Sequence, residues 1–121
     1  MYDHIGIKTR DFAAAARFYE QVLAPLGLVK GSAGDGYAGF GPKDAPALWL
    51  HAAPALKANP GAHIAFRAPD RGAVDRFHAA GLAAGAKDNG KPGLRPDYSP
   101  AYYAAFLIDL DGNNIEAVCT G

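Results

Sequence analysis

The chain has 121 residues, enough for one compact domain and little more. Half of them are hydrophobic and a fifth are charged, which allows a packed core and argues against disorder. Lysine plus arginine equal aspartate plus glutamate at 12 each, so no net charge draws the chain to nucleic acid or to an anionic membrane surface. Cys119 is the only cysteine, which excludes an intrachain disulfide and makes the cytoplasm the expected location. The opening residues read as no signal peptide, and no apolar run is long enough to span a bilayer.

Residues 3–11 read Asp-His-Ile-Gly-Ile-Lys-Thr-Arg-Asp. The alternation predicts a half-buried strand with Ile5 and Ile7 on one face and His4, Gly6 and Lys8 on the other. Asp11 is placed to cap a helix, because its carboxylate can accept an unpaired backbone N–H at the helix start. Phe12, Ala15, Phe18, Tyr19, Val22 and Leu23 form the apolar stripe of that helix, and Pro25 with Gly27 ends it. Residues 31–36 read as a loop, 37–41 as a short strand, 42–46 as a break and 47–52 as a resumed strand. Residues 53–61, with two prolines and a glycine, read as a connector.

The chain then repeats itself. Residues 62–70 read Ala-His-Ile-Ala-Phe-Arg-Ala-Pro-Asp, and one shift of 59 places carries His4 onto His63, Asp11 onto Asp70, Phe18 onto Phe77 and Leu23 onto Leu82. The second strand sets Ile64 and Phe66 against His63, Ala65 and Arg67. The second helix carries Val74, Phe77, His78, Gly81 and Leu82 on its stripe, with Gly85 near its stop. Residues 87–100 hold three prolines and read as an extended loop; 102–110 and 113–120 read as the last two strands, joined at the hairpin signal Asp111-Gly112. The predicted class is α+β: one domain over 1–121, with module one at 1–52, the connector at 53–61 and module two at 62–121. Each module is a strand, a helix and roughly three further strands, a βαβββ unit.

Three polar residues draw attention by position. His4 and His63 are equivalent in the repeat and lie opposite the isoleucines that pack beneath each helix; Glu116 lies opposite Ile115 and Ala117. A carboxylate buried there is costly unless a cation neutralises it. Two imidazoles and a carboxylate suit a divalent metal and leave coordination positions open for substrate. Aligning Phe40 with Phe106, and allowing one extra residue in the second hairpin, brings Leu48 onto Ile115 and Trp49 onto Glu116. Trp49 then stacks on a substrate at the cleft mouth or fills core space, and His51, of the same parity, is a further ligand, an acid–base group or an ordinary strand-end residue. Arg95, Tyr98, Tyr102 and Tyr103 fall in the long loop and the strand after it. An arginine or a tyrosine hydroxyl there can orient an anionic or oxygen-rich substrate, and the tyrosines read equally well as a packed cluster. His78 reads as a core-edge residue and Asp109, Asp111 and Gly112 as builders of the hairpin. Cys119 has no base partner and is assigned no nucleophilic role.

The opening Asp-His-Ile-Gly, the helix segment Ala-Arg-Phe-Tyr-Glu-Gln-Val-Leu from Ala16, and above all the closing Asp-Gly-Asn-Asn-Ile-Glu-Ala-Val resemble the vicinal oxygen chelate superfamily, the glyoxalase, bleomycin-resistance and ring-cleaving dioxygenase group. The resemblance covers essentially the whole chain. It implies curved mixed sheets around a cleft with helices outside, and a divalent metal (iron, manganese, zinc or nickel) that binds substrate through two neighbouring oxygens. It implies His4, His63 and Glu116 as metal ligands; Glu116 is taken as catalytic as well, and Trp49, His51, Arg95 and Tyr103, from their parity and their place in the loop and strand, as candidate substrate-binding residues. Glyoxalase-like members place a carboxylate or amide where Trp49 stands. The departure leaves the two-histidine, one-carboxylate set of ring-cleaving dioxygenases and fosfomycin-modifying relatives. The implied function is a metal-dependent enzyme acting on a small substrate, lyase or isomerase ahead of ring-cleaving dioxygenase, whose chains are commonly longer. The alternative is a drug-sequestering binding protein of the bleomycin-resistance kind. A homodimer is the implied assembly.

Overall fold

The computed structural model describes residues 1–57 and 61–121; residues 58–60 of the expected connector lie outside the described residues. Module one runs β1 (Ile5–Thr9), α1 (Phe12–Leu23), a short 3-10 turn (Ala24–Leu26), β2 (Val29–Gly34), β3 (Tyr37–Gly41) and β4 (Leu48–Ala52). Module two runs β5 (His63–Arg67), α2 (Arg71–Ala83), β6 (Lys87–Leu94), β7 (Tyr103–Ile108) and β8 (Asn114–Cys119). Each module builds its own four-stranded sheet, in the orders β1-β4-β3-β2 and β5-β8-β7-β6. In both, the first strand pairs parallel with the last and the other pairings are antiparallel. This is the predicted α+β fold of two βαβββ modules.

Both helices start where a side chain satisfies the free N–H groups of the first turn. Asp11 accepts from Ala14 N at 3.2 Å, and Asp70 accepts from Ala73 N at 2.7 Å. Helix α1 buries Ala15, Phe18, Tyr19, Val22 and Leu23, a spacing of three and four that lays one stripe on the core. It stops through Pro25 and through Gly27, whose left-handed backbone (φ 79°) lets its N–H reach Ala24 O at 2.9 Å. Helix α2 buries Ala73, Val74, Phe77, His78 and Gly81, but the repeat partner of Leu23, Leu82, is largely exposed. The difference comes from Gly81: a Cβ there would lie 2.2 Å from Cδ1 of Leu107, so the bare backbone sits against β7 and residue 82 turns outward.

Two segments read as loops are strands. Residues 29–34 form β2, an edge strand exposed along its length with a bulge between Lys30 and Ser32. Residues 87–94 form β6, another edge strand, which absorbs Pro92 at a register shift between Gly90 and Gly93. Edge strands buried on neither face carry no apolar alternation, and proline is tolerated there because no inner partner needs its missing N–H.

The register corrects the alignment of the two modules. Gly6 pairs Trp49 and Ala65 pairs Glu116, so Trp49 is the counterpart of Glu116. The anchor is different, however: Gly39 pairs Trp49 as Phe106 pairs Glu116, so Gly39, not Phe40, matches Phe106 and no extra residue is needed. Phe40 instead matches Leu107, and both are core. One apolar cluster runs through both modules, with α1 packed on α2.

The β7–β8 hairpin also ties the modules together. Asp109 Oδ1 accepts from Asp111 N at 2.9 Å and Asn113 N at 2.8 Å; its Oδ2 accepts from Asn113 Nδ2 at 2.8 Å and from the Tyr19 hydroxyl of α1. Asn113 Oδ1 accepts from Ala62 N at 2.9 Å, and Arg10 reaches Asp111 Oδ1 through its Nε at 3.3 Å. These residues build the hairpin, as expected from the sequence, and dock it on module one.

Candidate functional site

Strand β8 turns Ile115 and Ala117 to the helix side and Glu116 to the other face, where it is only 1% exposed. A buried carboxylate costs several kcal/mol unless hydrogen bonds or charge replace the lost water. Here two neighbours supply them. His63 Nε2–H donates to Oε1 at 2.9 Å, and the Tyr102 hydroxyl donates to Oε2. Burial, followed by the hydrogen bond and negative charge of Glu116, pushes the Tyr102 hydroxyl up to about 12, so it holds its proton at neutral pH. His63 keeps more than half of its side chain exposed, which opens the pair to a ligand. Phe106 sits beside them, its ring centroid 6.3 Å from that of His63.

The expected three-residue set is not assembled within the chain. His4 stands just before β1 with its ring exposed and its Nδ1 2.6 Å from Asp3 Oδ1. Among the described residues no three of His, Cys, Asp and Glu come close enough together to hold a metal. The reason is topological: His4 and His63 are equivalent in register, but they lead strands of two separate sheets. For an octahedral ion with ligands at about 2.0–2.1 Å, adjacent donor atoms lie about 2.9 Å apart. His63 Nε2 and Glu116 Oε1 have that spacing. The pair is compatible with two neighbouring ligand positions, and the same 2.9 Å is that of the hydrogen bond between them.

The other expected residues divide. Trp49 is half-buried on the corresponding face of module one, 6.4 Å from Tyr37 between ring centroids, and lies over Gly39, where a Cβ would meet its ring at 2.8 Å. His51 is exposed on the same face, paired with Lys8 and Tyr37. Neither touches the His63–Glu116 pair. Arg95 does share its surroundings, with its guanidinium carbon 5.4 Å from the Phe106 centroid. Tyr103 is a correction: its hydroxyl donates to Asp75 of α2 at 2.6 Å under Arg71, so it faces the helix and not the cleft. Tyr102 is the tyrosine on the carboxylate. Strand parity carried that signal, since Tyr103 shares the side of Ala105 and Leu107, which pack in the core. His78 is a structural residue that bonds Asp88 at 2.9 Å.

Fold and site define a class: small α+β proteins of paired modules, with polar side chains presented on the sheet face away from the helices. The Glyoxalase/Bleomycin resistance protein/Dioxygenase superfamily matches the chain over residues 2–117, and the chain belongs to it. Its fold is similar to that of a glyoxalase/bleomycin resistance protein from Albidiferax ferrireducens, 28% identical with a TM-score of 0.82, covering 98% of this chain and 97% of that one. A glyoxalase/dioxygenase from Nostoc punctiforme is 21% identical with a TM-score of 0.75, covering 100% and 91%. A bleomycin resistance determinant encoded on a transposon is 21% identical with a TM-score of 0.61, covering 93% and 92%. Comparison with curated proteins gives no match.

Proposed function

We propose that the protein is a divalent-metal-dependent enzyme acting on a small, oxygen-rich substrate over the module-two sheet, a lyase or isomerase in preference to a ring-cleaving dioxygenase. The observation that supports this reading is the buried Glu116 carboxylate held between His63 and Tyr102. A carboxylate kept so nearly dry is a strong acceptor for a proton or a cation. Tyr102 fixes one oxygen and retains its own proton, leaving the other oxygen beside the half-open imidazole. When bound at His63 and Glu116, an ion such as iron, manganese, zinc or nickel would polarise a substrate oxygen. The chain's own part is to orient the substrate on Phe106, keep water from Glu116, and move a proton at Oε1, the oxygen that His63 faces.

In this reading the third ligand is His4 of the partner subunit. His4 sits at the place in module one that His63 holds in module two, so a homodimer that lays module one of one copy over module two of the other brings the two together. The free, buried Cys119 is consistent with a reducing compartment such as the cytoplasm. No helix among the described residues is long and apolar enough to cross a membrane.

Metal content tests the proposal. Wild-type protein purified without chelator is expected to carry near-stoichiometric metal, and His63→Ala and His4→Ala to lose it. A shared site adds a sharper expectation: an equilibrated mixture of the two variants regains about one intact site in four, because each mixed dimer rebuilds one of its two sites. Protein that takes up none of the four metals on titration sinks the enzyme reading. Trp49 in place of a carboxylate, beside Tyr37, favours the second reading, a protein that sequesters flat ligands without turnover. Tight binding of a planar aromatic by metal-free protein, lost in Trp49→Ala, is its signature.

A further inference from the structure

We propose that the module-two face selects a small ligand bearing an oxyanion, a carboxylate or phosphonate, which Arg95 receives beside Phe106 and next to the His63–Glu116 pair. The inference rests on reading that face as the ligand site, and it adds the charge of the ligand. Arg95 is half-buried and fixed: its Nη1 donates to Gly93 O at 2.9 Å and its Nη2 to Lys91 O at 2.7 Å. Those are neutral acceptors. A guanidinium has five N–H donors, so three remain. No carboxylate among the described residues pairs with it. A partly desolvated cation without a counter-ion is an unfavourable arrangement that an incoming oxyanion relieves.

The surroundings are shaped for that cation. A Cβ on Gly90 would lie 3.3 Å from Nη2, and one on Gly93 would lie 3.2 Å from Nη1, so the two glycines of β6 leave the space the guanidinium fills. Arg95 lines an open groove of roughly 320 Å³ with Asn89, Tyr98, Phe106 and Asn114, room for a ligand of a few heavy atoms. Asn89 Nδ2 donates to Asn114 Oδ1 at 3.2 Å, which leaves the Asn114 amide N–H groups as further donors. The turn after β6 couples this groove to the carboxylate, since Arg95 N–H donates to Tyr102 O at 2.7 Å and Tyr98 N–H to Arg95 O at 3.0 Å. Glu116 does not present a bare charge to such a ligand, because both of its oxygens already accept hydrogen bonds. Arg95 and His63 both neighbour the Phe106 ring, so an anion held by the guanidinium lies near the His63–Glu116 pair.

The test is a nitrogen-edited NMR titration of the full-length, metal-stripped protein with glycolate, hydroxymethylphosphonate and neutral glycolamide at matched pH and ionic strength. The side-chain amides of Asn89 and Asn114 are expected to move with at least one of the two anions, bound about tenfold tighter than glycolamide. Arg95→Gln is expected to abolish that preference while leaving resonances of the helices in place. Which anion binds tighter separates carboxylate from phosphonate. Equal binding of glycolamide, no response to either anion, or a preference that survives Arg95→Gln overturns the inference. Because the protein is metal-free, the result stands apart from the metal test: a chain that never binds metal can still show the anion preference, and a metalloprotein without it refutes this inference alone.

Discussion

At the scale of single residues, the site turns on how Glu116 is satisfied. Glu116→Gln is nearly isosteric. Its carbonyl can accept from Tyr102 while its amide donates to the other tautomer of His63, so the cost in stability is expected to stay within about 1 kcal/mol. Metal uptake and any turnover should nevertheless collapse, because the charge and the proton acceptor are gone. Tyr102→Phe should do the reverse. It leaves Oε2 buried without a donor, a loss of about 1–3 kcal/mol, which thermal unfolding would register as a drop of about 4 °C per kcal/mol. If both variants unfold together and bind metal alike, Glu116 is a packing residue and nothing more. The sequence pointed to Glu116 and His63 through the family resemblance, with repeat position and strand parity in support. It did not separate Tyr102 from Tyr103, although both were read in the strand 102–110, because parity was not applied at the strand's first residues, where Tyr103 shares the side of Ala105 and Leu107.

At the scale of elements, what could be read ahead of the structure was whatever is half-buried or capped. Asp11 and Asp70 announced both helices, and the alternation of Ile5 with Ile7 and of Ile64 with Phe66 announced β1 and β5; Ile7 enters the core and Ile64 and Phe66 pack against it, while Ile5 stays exposed. Strands β2 and β6 were missed for the converse reason: they are held by backbone pairing at an edge, which leaves side-chain identity nearly free. The Phe40–Phe106 alignment failed in a related way. Two phenylalanines invite superposition, yet one is core and the other lines the cleft, where module one has Gly39 beneath Trp49. Close packing decides helix α2 in the same fashion and makes two similar glycines behave oppositely. Alanine favours helix over glycine by up to about 1 kcal/mol. At Gly72 the new Cβ would meet Arg76 Nη1 at 3.1 Å, the movable end of a long side chain, and the capping Asp70 Oδ1 at 3.3 Å, which needs to give by only a few tenths of an ångström, so Gly72→Ala should gain at most a few tenths of a kcal/mol. At Gly81 it would meet Leu107 at 2.2 Å inside the core, and overpacking of about 1–3 kcal/mol should outweigh the propensity gain. Urea unfolding of the two variants should therefore shift in opposite directions.

At the scale of the whole molecule, the most family-specific segment of the sequence does two jobs. Its glutamate is the buried carboxylate between His63 and Tyr102, and its Asp111 and Asn113 bond Asp109, just ahead of the segment, which reaches Tyr19 of module one. The turn is fixed by contacts within one chain, which is why this segment is recognisable in a single sequence. The Tyr19–Asp109 contact gives a way to test how firmly the modules are coupled. Burial first, and then the charge of Asp109, raise the Tyr19 hydroxyl well above the usual tyrosine range. The folded protein thus keeps this proton to higher pH than the unfolded chain, whose tyrosines ionise near about pH 10. Stability from Tyr19 is intact below that pH and is lost as the pH rises beyond it, at about 1.4 kcal/mol per pH unit for one fully differential group. Tyr102 and Tyr103, also raised, add to the same alkaline decline. Tyr19→Phe should be less stable than the wild type at pH 7, because Asp109 loses a donor, yet its stability should fall less steeply between pH 10 and 12. Chemical unfolding across that range reads the slope directly. Parallel slopes would mean that the Tyr19 proton is free in the folded state, and that the hairpin and α1 are not held together by this bond.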